Sequence, residues 1–525
     1  MADAPQIWRP KSNPWLIAVV VAMAAFMEVL DTSIANVALP HLAGDLGASN
    51  DESTWVLTSY LVSNAIVLPI SGWLATAFGR KRFFMLCIFV FTVASLLCGI
   101  APSLGMLIFF RVIQGVGGGG LQPMAQAILA DTFPPEKRGL AFALYGVTAV
   151  IAPTIGPTLG GFLTDNYSWR WIFYINLPVG ALALFLVLRI VEDPPYLASR
   201  RGAGIRVDYI GIAFLTLAVG ALQVLLDKGQ EEDWFGSHMI VALAVASAVG
   251  FICLVVWEWR QEAPIVDVRM FKNFNFAVAC LMMFCLGVLL FSSLVMMPQF
   301  LQTLMGYTAQ SAGLVLSGAG LVILFEMPVV GQLTTKFPAK YIMAFGWLCL
   351  AFGMFVSTRR LDLLISFRAA SQLRIVQALG LGFLFVPITL VAYVGIAPEK
   401  GNSVSGLVNF MRNIGSSVGT SMVTTLLARR AQFHQSMLSY HATNYDPAFR
   451  NQLAGLSAQL THAGASAPDA QVQAYARLYQ STLVQSQTLA YIDTFMVLAV
   501  AASIMFFLSF IVRRNNPGGG QVVAE

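Results

Sequence analysis

Apolar runs of about 20 residues recur from one end of this chain to the other, and they constrain its fold more than any motif does. Twenty helical residues rise about 30 Å, the depth of a bilayer's hydrocarbon core. A backbone crossing that core must satisfy its own hydrogen bonds, so an isolated run of this length becomes a helix. The 525 residues contain fourteen such runs, near 15–39, 54–75, 83–101, 104–129, 139–163, 170–190, 208–227, 238–259, 276–300, 309–333, 341–358, 371–396, 402–427 and 490–512. Charge is correspondingly scarce: 11% of residues are charged, where soluble domains carry about 25%. The chain reads as an all-α polytopic protein of the lipid bilayer, with no nucleic-acid partner.

The net charge of +5 matters less than where it falls. With the N-terminus inside, the cytoplasmic segments hold Arg9 and Lys11, Arg80-Lys81-Arg82, Lys137-Arg138, Arg200-Arg201 and Arg206. Further along they hold Arg260, Arg269, Lys272, Lys336, Lys340, Lys400 and Arg513-Arg514. The outer loops are nearly free of Lys and Arg, with Arg359, Arg360 and Arg368 the exception. The positive-inside rule therefore puts both termini in the cytoplasm. The first span follows basic residues as a signal peptide would, but it is longer and contains Glu28 and Asp31, so it is expected to be retained. No cysteine pair has a C-x-x-C spacing and the histidines are scattered, so no metal, cofactor or enzymatic centre is expected.

An internal repeat organises the spans. Arg111, Gln114 and Gly117 of RVIQGVG match Arg374, Gln377 and Gly380 of RIVQALG, each 263 residues on. Gly72, Leu74, Thr76, Phe78 and Lys81 match Gly331, Leu333, Thr335, Phe337 and Lys340 at an offset of 259. The repeat shifts the helix count by eight rather than six. Two six-helix bundles, 1–190 and 273–525, with a two-helix insert and its linkers at 191–272, account for that shift. Duplicated halves around a central cavity are a transporter architecture. The second half includes a long outer loop, 428–489, rich in Gln and Ala and expected to be helical.

Several polar residues interrupt the spans. FFRVIQGVGGGGLQP, 109–123, lacks the Lys-Ser/Thr of a phosphate loop. Arg111 and Gln114 instead share one helix face, and the glycines admit a neighbouring backbone. An arginine there is expected to face a cavity or a partner, snorkelling to the interface being the alternative. Glu28 and Asp31 also stand at i and i+3, and two carboxylates so placed require that at least one be protonated or paired. Glu326, just before Pro328, is a third buried acid, with proton binding, substrate binding and a structural role all open. Gln114, Asn36, Arg374, Gln377 and Met297 are the candidate cavity residues. Asp208 and Asp227, at the ends of their span, are expected at the membrane interfaces.

RVIQGVGGG resembles the fourth-helix motif of the major facilitator superfamily. GPTLGG, 156–161, after GVTAVIAP resembles the fifth-helix motif of its proton-coupled exporters. VLDTSIANVALP, 29–40, and WRWIFYINLPVG, 169–180, resemble the first and sixth helices of its fourteen-helix drug:proton antiporter branch. The likeness covers nearly the whole chain and is greatest to the Emr-type multidrug exporters. It implies a bacterial inner-membrane location and proton-driven export of amphipathic or hydrophobic drugs by alternating access. It also implies a periplasmic membrane-fusion adaptor and an outer-membrane channel as partners, with loop 428–489 either their docking element or a solvated cap. The first-helix motif makes Asp31 the principal proton carrier. Glu28 lies outside that motif and is read as an accessory proton site or a contact for cations, with Arg111 tuning the proton site or its gate. Pro153, Gly156, Pro157, Gly160 and Gly161 become the gate. Gly72, Gly79, Arg80 and Lys81 belong to a cytoplasmic loop motif, in which Thr76 replaces the usual aspartate. A specific exporter of one metabolite, fatty acid or siderophore is the alternative function.

Overall fold

The computed structural model describes residues 10–194, 207–443 and 445–513. Arg9, Arg200, Arg201, Arg206 and Arg514, part of the basic pattern above, lie outside the described residues. Helices follow one another throughout: α1 (Pro14–Leu46), α2 (Asn50–Ser53), α3 (Trp55–Phe78), α4 (Arg80–Gly99), α5 (Leu104–Gly118), α6 (Leu121–Thr132), α7 (Pro135–Asn166), α8 (Trp171–Tyr174) and α9 (Asn176–Ile190). Two more, α10 (Tyr209–Lys228) and α11 (His238–Arg260), precede α12 (Phe274–Thr303), α13 (Ala309–Lys336), α14 (Ala339–Arg360), α15 (Phe367–Ala392), α16 (Gly401–His441), α17 (Pro447–His462) and α18 (Ala467–Leu508).

Local signals set the boundaries. The Asn13 side chain caps α1 ahead of Pro14, and Gly47 closes that helix at φ 63°. Ser49 and Glu52 form a reciprocal capping box on α2. Gly79, at φ 88°, turns the chain from α3 into α4, a conformation that L side chains avoid.

Among the described residues, thirteen stretches are long and apolar enough to cross a bilayer, α5–α6 and α8–α9 each counting as one. The fourteenth expected span, 402–427, falls in α16, which is long but too polar to qualify by composition. Arg412, Asn413, Ser416, Ser417 and Thr420 of that helix line an internal cavity. Polar side chains are tolerated at membrane depth where they face a cavity rather than lipid.

In the first half, α1 packs on α7 and α9, and α3 and α4 on α5. In the second, α12 packs on α16 and α15, α13 on α15, and α14 on α15 and α18. The halves meet where α7 packs on α13 and α3 on α16. The sequence repeat is also a packing repeat. A Cβ on Gly117 would lie 2.6 Å from Phe91 N, and one on Gly380 would lie 2.5 Å from Leu350 N. Glycine therefore permits the same close helix crossing in both halves.

Loop 428–489 continues the helices on either side of it. α16 and α18 run on past their apolar parts and carry α17 between them. A small core of Leu453, Leu460, Ala470, Ala474 and Leu478 holds this helical cap together.

Candidate functional site

Asp31 and Glu28 leave neighbouring points on α1, yet they enter different environments. Arg111 Nη1 donates to Asp31 Oδ2 at 2.6 Å and to Gln114 Oε1 at 2.8 Å, while its Nε donates to the Val56 carbonyl at 3.1 Å. Gln114 Nε2 and Asn176 Nδ2 donate to Asp31 Oδ1 at 2.9 and 2.7 Å. The guanidinium stacks 4.3 Å from the centroid of the Tyr60 ring. Asp31 is 2% exposed and Arg111 0%. A desolvated ion pair is tolerable only when most of its remaining donors and acceptors are satisfied, and Gln114, Asn176 and Val56 do this for all but Arg111 Nη2, which has no hydrogen-bond partner among the described residues. Arg111 does not snorkel; it locks a carboxylate between α1 and α5.

Glu28 lines a cavity of about 410 Å³ between the halves. Its Oε1 accepts from the Tyr60 hydroxyl at 3.1 Å and from Asn64 Nδ2 at 3.0 Å, and its Oε2 accepts from Gln122 Nε2. Gln122 Oε1 accepts in turn from Tyr145 at 3.1 Å and from Arg412 of the opposite half. A single amide thus links the Glu28 carboxylate to a guanidinium across the interface. Leu57, Leu61, Leu290, Phe291 and Leu294 supply apolar wall, and Asn36 lines the same space.

The second half repeats the frame without the acid. Arg374 Nη1 donates to Gln377 Oε1 at 3.0 Å and to Ser293 Oγ at 2.9 Å, so a serine stands where Asp31 stands in the first half. Gln377 Nε2 donates to Ser357 Oγ at 2.8 Å. Arg374, Gln377, Gln114 and Met297 are buried in the helix packing and are not among the residues that line the cavity. Leu290, Phe291, Leu294 and Val295 reach it from α12 instead of Met297. Glu326 is 8% exposed, packs against Gly382 of α15, and has no hydrogen-bond partner at either carboxylate oxygen among the described residues.

On α7 the proline spacing has a specific consequence. Pro157 has no N–H to give the carbonyl of Pro153 four residues earlier. Ser33 of α1 fills that vacancy, its hydroxyl donating to Pro153 O at 3.1 Å. A Cβ on Gly156 would lie 2.3 Å from Ser33 Oγ, and one on Gly160 would lie 3.0 Å from Ile34 O. At Gly161 the nearest atom would be Val37 Cγ1 at 4.0 Å, an ordinary contact. Pro153 and Pro157 also line the cavity, so the motif seals α1 to α7 along its wall.

At the far end of α3 the halves are closed on each other. Arg80, 2% exposed, donates from Nε to Asn402 Oδ1 at 2.8 Å and pairs through Nη1 with Asp131 at 2.5 Å. A Cβ on Gly72 would lie 2.8 Å from the Ser403 backbone. The Lys81 amide donates to Asp193 Oδ1 at 2.8 Å, and its Nζ donates to Leu188 O at 2.8 Å. Thr76 donates to the Gly72 carbonyl of its own helix at 2.9 Å. The contact between halves at this end therefore runs through Arg80 and not through position 76.

Three further cavity residues stand out in the structure: Gln122, Arg412 and Asp227. The signal for the first two was present in the sequence, since each is a polar residue inside an apolar span, the test that singled out Arg111. Asp227, expected at a membrane interface, stands in the last turn of α10 and lines the cavity there.

A sequence profile described as Major Facilitator Superfamily matches residues 21–420. The chain is similar to the multidrug export protein EmrB of Escherichia coli K12, 38% identical over 84% of this chain and 86% of that protein. It is also similar to the fatty acid resistance protein FarB of Neisseria gonorrhoeae, 36% identical over 84% of this chain and 86% of that one. Its fold matches the solved structure of the proton:xylose symporter XylE with a TM-score of 0.60 at 14% identity, over 97% of each chain. With helix count, repeat and profile in agreement, this chain belongs to the Major Facilitator Superfamily.

Proposed function

We propose that this protein exports amphipathic and hydrophobic drugs, exchanging each against protons by alternating access of the cavity between its halves. The observation that carries this reading is the Glu28–Gln122–Arg412 chain. It sets a protonatable group on the substrate cavity in direct connection with the opposite half. Glu28, not the locked Asp31, is then the group that loads and releases the proton. A neutral Glu28 holds Gln122 less firmly, which frees the amide and Arg412 to change partners as the halves rock. Asp31 and Arg111 form the rigid frame behind it. Glu326, in the other half and away from that cavity, is a second candidate proton site. Its carboxylate has no hydrogen-bond partner among the described residues, and burying it so is costly unless it is neutral.

The cavity lies toward the end opposite Arg80, and the Arg80 end is sealed, so the arrangement corresponds to a state open on the outer side. Both termini are cytoplasmic in this reading, the membrane is the bacterial inner membrane, and the working units are the bundles 1–190 and 273–525 with the insert 191–272. The helical cap of α16, α17 and α18 passes cargo to a periplasmic adaptor and an outer-membrane channel. EmrB's name supports the multidrug reading, and FarB's supports the narrower alternative of a fatty acid exporter.

The test is transport by the purified protein in proteoliposomes under an imposed pH gradient, with lipophilic cations, uncouplers and fatty acids as a panel. Uphill movement of several unrelated compounds with coupled proton flux is the expected result. Movement of one class alone selects the narrower exporter, and transport that ignores the pH gradient refutes proton coupling.

A further inference from the structure

An inserted helix pair could lie wholly in lipid beside the two bundles, and α11 comes close to that, presenting Val245, Ile252 and Val256 outward. α10 does not. Its Gln223 is 1% exposed and exchanges two hydrogen bonds with Ser417 of α16, at 2.8 and 3.0 Å. Just past α10, Trp234 Nε1 donates to Thr425 Oγ1 of α16 at 3.0 Å. Lys228 Nζ donates to Thr54 Oγ1, at the start of α3, at 2.6 Å. α10 is thus fastened to one helix from each half, and it walls the cavity at the end opposite Arg80.

One turn beyond Gln223, Asp227 is exposed to that cavity and lines it together with Gln223 and Leu226. The Thr58 hydroxyl of α3 donates to its Oδ2, which orients the carboxylate. The charged side chains that line the cavity are Glu28, Arg111, Asp227 and Arg412. Asp31 balances Arg111, and Glu231 pairs with Lys228 beside Asp227, which leaves two carboxylates and one guanidinium on the cavity among the described residues.

We propose that Asp227 is a cation-binding residue of the transport cavity, through which the inserted helix favours lipophilic cations over neutral molecules of the same shape. This rests on the exporter reading above and names its preferred substrate class. A large apolar cation sheds its water easily, and a carboxylate beside the low-dielectric wall of Leu57, Leu61 and Phe291 attracts it more strongly than it would in water. The ring face of Phe291, which lines the same cavity, adds to the attraction for the same ligand.

The test is equilibrium binding of tetraphenylphosphonium and of neutral triphenylphosphine oxide to the full-length protein in lipid nanodiscs. Asp227→Asn keeps the size of the side chain and an acceptor for Thr58, so the fold is expected to hold. It should weaken binding of the cation about tenfold, the low end of what a close charge pair contributes, and change binding of the neutral probe less than about twofold. Asp227→Glu should restore the preference for the cation. Unchanged cation affinity in Asp227→Asn overturns the assignment and leaves the exporter reading intact. Equal weakening of both probes marks a structural role and overturns it too. Failure of the wild type to bind tetraphenylphosphonium overturns the assignment, while the exporter reading stands or falls by the proteoliposome assay.

Discussion

Asp31 and Arg111 meet at 2.6 Å inside the first bundle, and neither is more than 2% exposed. Removing one partner of such a pair strands the other charge, at a cost of about 3–5 kcal/mol. Arg111→Ala should therefore lower the thermal unfolding temperature of the detergent-solubilised protein and stop transport. Arg111→Lys should also be impaired, because one ammonium cannot reach Asp31, Gln114 and the Val56 carbonyl in the fork that arginine presents. Asp31→Asn combined with Arg111→Gln should recover part of the lost stability. Wild-type turnover in Arg111→Ala would refute the locking role.

Glu28 and Asp31 should behave differently when each is neutralised. Glu28→Gln should abolish uphill export on a pH gradient while leaving downhill substrate exchange and the unfolding temperature close to wild type. Asp31→Asn should lose stability as well as transport, since it uncouples Arg111 from its charge partner. Gln122→Leu should resemble Glu28→Gln, because it cuts the link to Arg412. Proton-coupled uphill export by Glu28→Gln would return the proton to Asp31.

The seam between α1 and α7 predicts opposite outcomes at two glycines five residues apart. Gly156→Ala places a methyl group 2.3 Å from Ser33 Oγ, and overpacking of this kind costs about 1–3 kcal/mol. Transport should fall sharply. Gly161→Ala adds a methyl no closer than 4.0 Å to Val37 and should transport at nearly the wild-type rate. Parallel uptake assays on the two variants, matched for expression, distinguish a steric seam from a general need for glycine.

Closure at the Arg80 end should depend on its bond to Asn402. In Arg80→Ala the sealed state loses an ion pair with Asp131 and a hydrogen bond of 2.8 Å across the halves. A cysteine placed at Ser403 should then react faster with a membrane-impermeant maleimide added from the Arg80 side. An unchanged labelling rate would mean that backbone packing at Gly72 holds this end shut without the arginine.

The helical cap separates transport from delivery. Replacing Tyr440 to Tyr475 by a short Gly/Ser bridge removes α17 and most of the small core around Leu453 and Leu460. It leaves the apolar parts of α16 and α18 in place. Substrate-driven proton movement in vesicles should persist. Co-purification with a periplasmic adaptor, and drug resistance of intact cells, should be lost. Survival of both after the deletion would make the cap a solvated cover only.

Much of the fold was legible in the sequence because bilayer depth sets a length that apolar runs must match, and a duplicated chain repeats its motifs at fixed offsets. The exceptions are physical. Residues 402–427 read as a span, yet α16 is polar for its depth, because its Arg412, Ser416 and Ser417 answer to a cavity that only the assembled halves enclose. The i, i+3 spacing of Glu28 and Asp31 put both acids on one face of α1. It could not say which one meets Arg111. That depends on where α5 stands relative to α1, and α5 is placed by Gly115 and Gly117, which touch the backbones of α3 and α4. The same holds for Asp227. Its place at the end of an apolar run suggested an interface, and it lines the cavity because α10 is pinned to α3 and α16 by Thr58, Ser417 and Thr425. Local spacing determines which side chains share a helix face. What that face confronts is decided by packing against helices as distant in the chain as the 322 residues that separate Arg80 from Asn402.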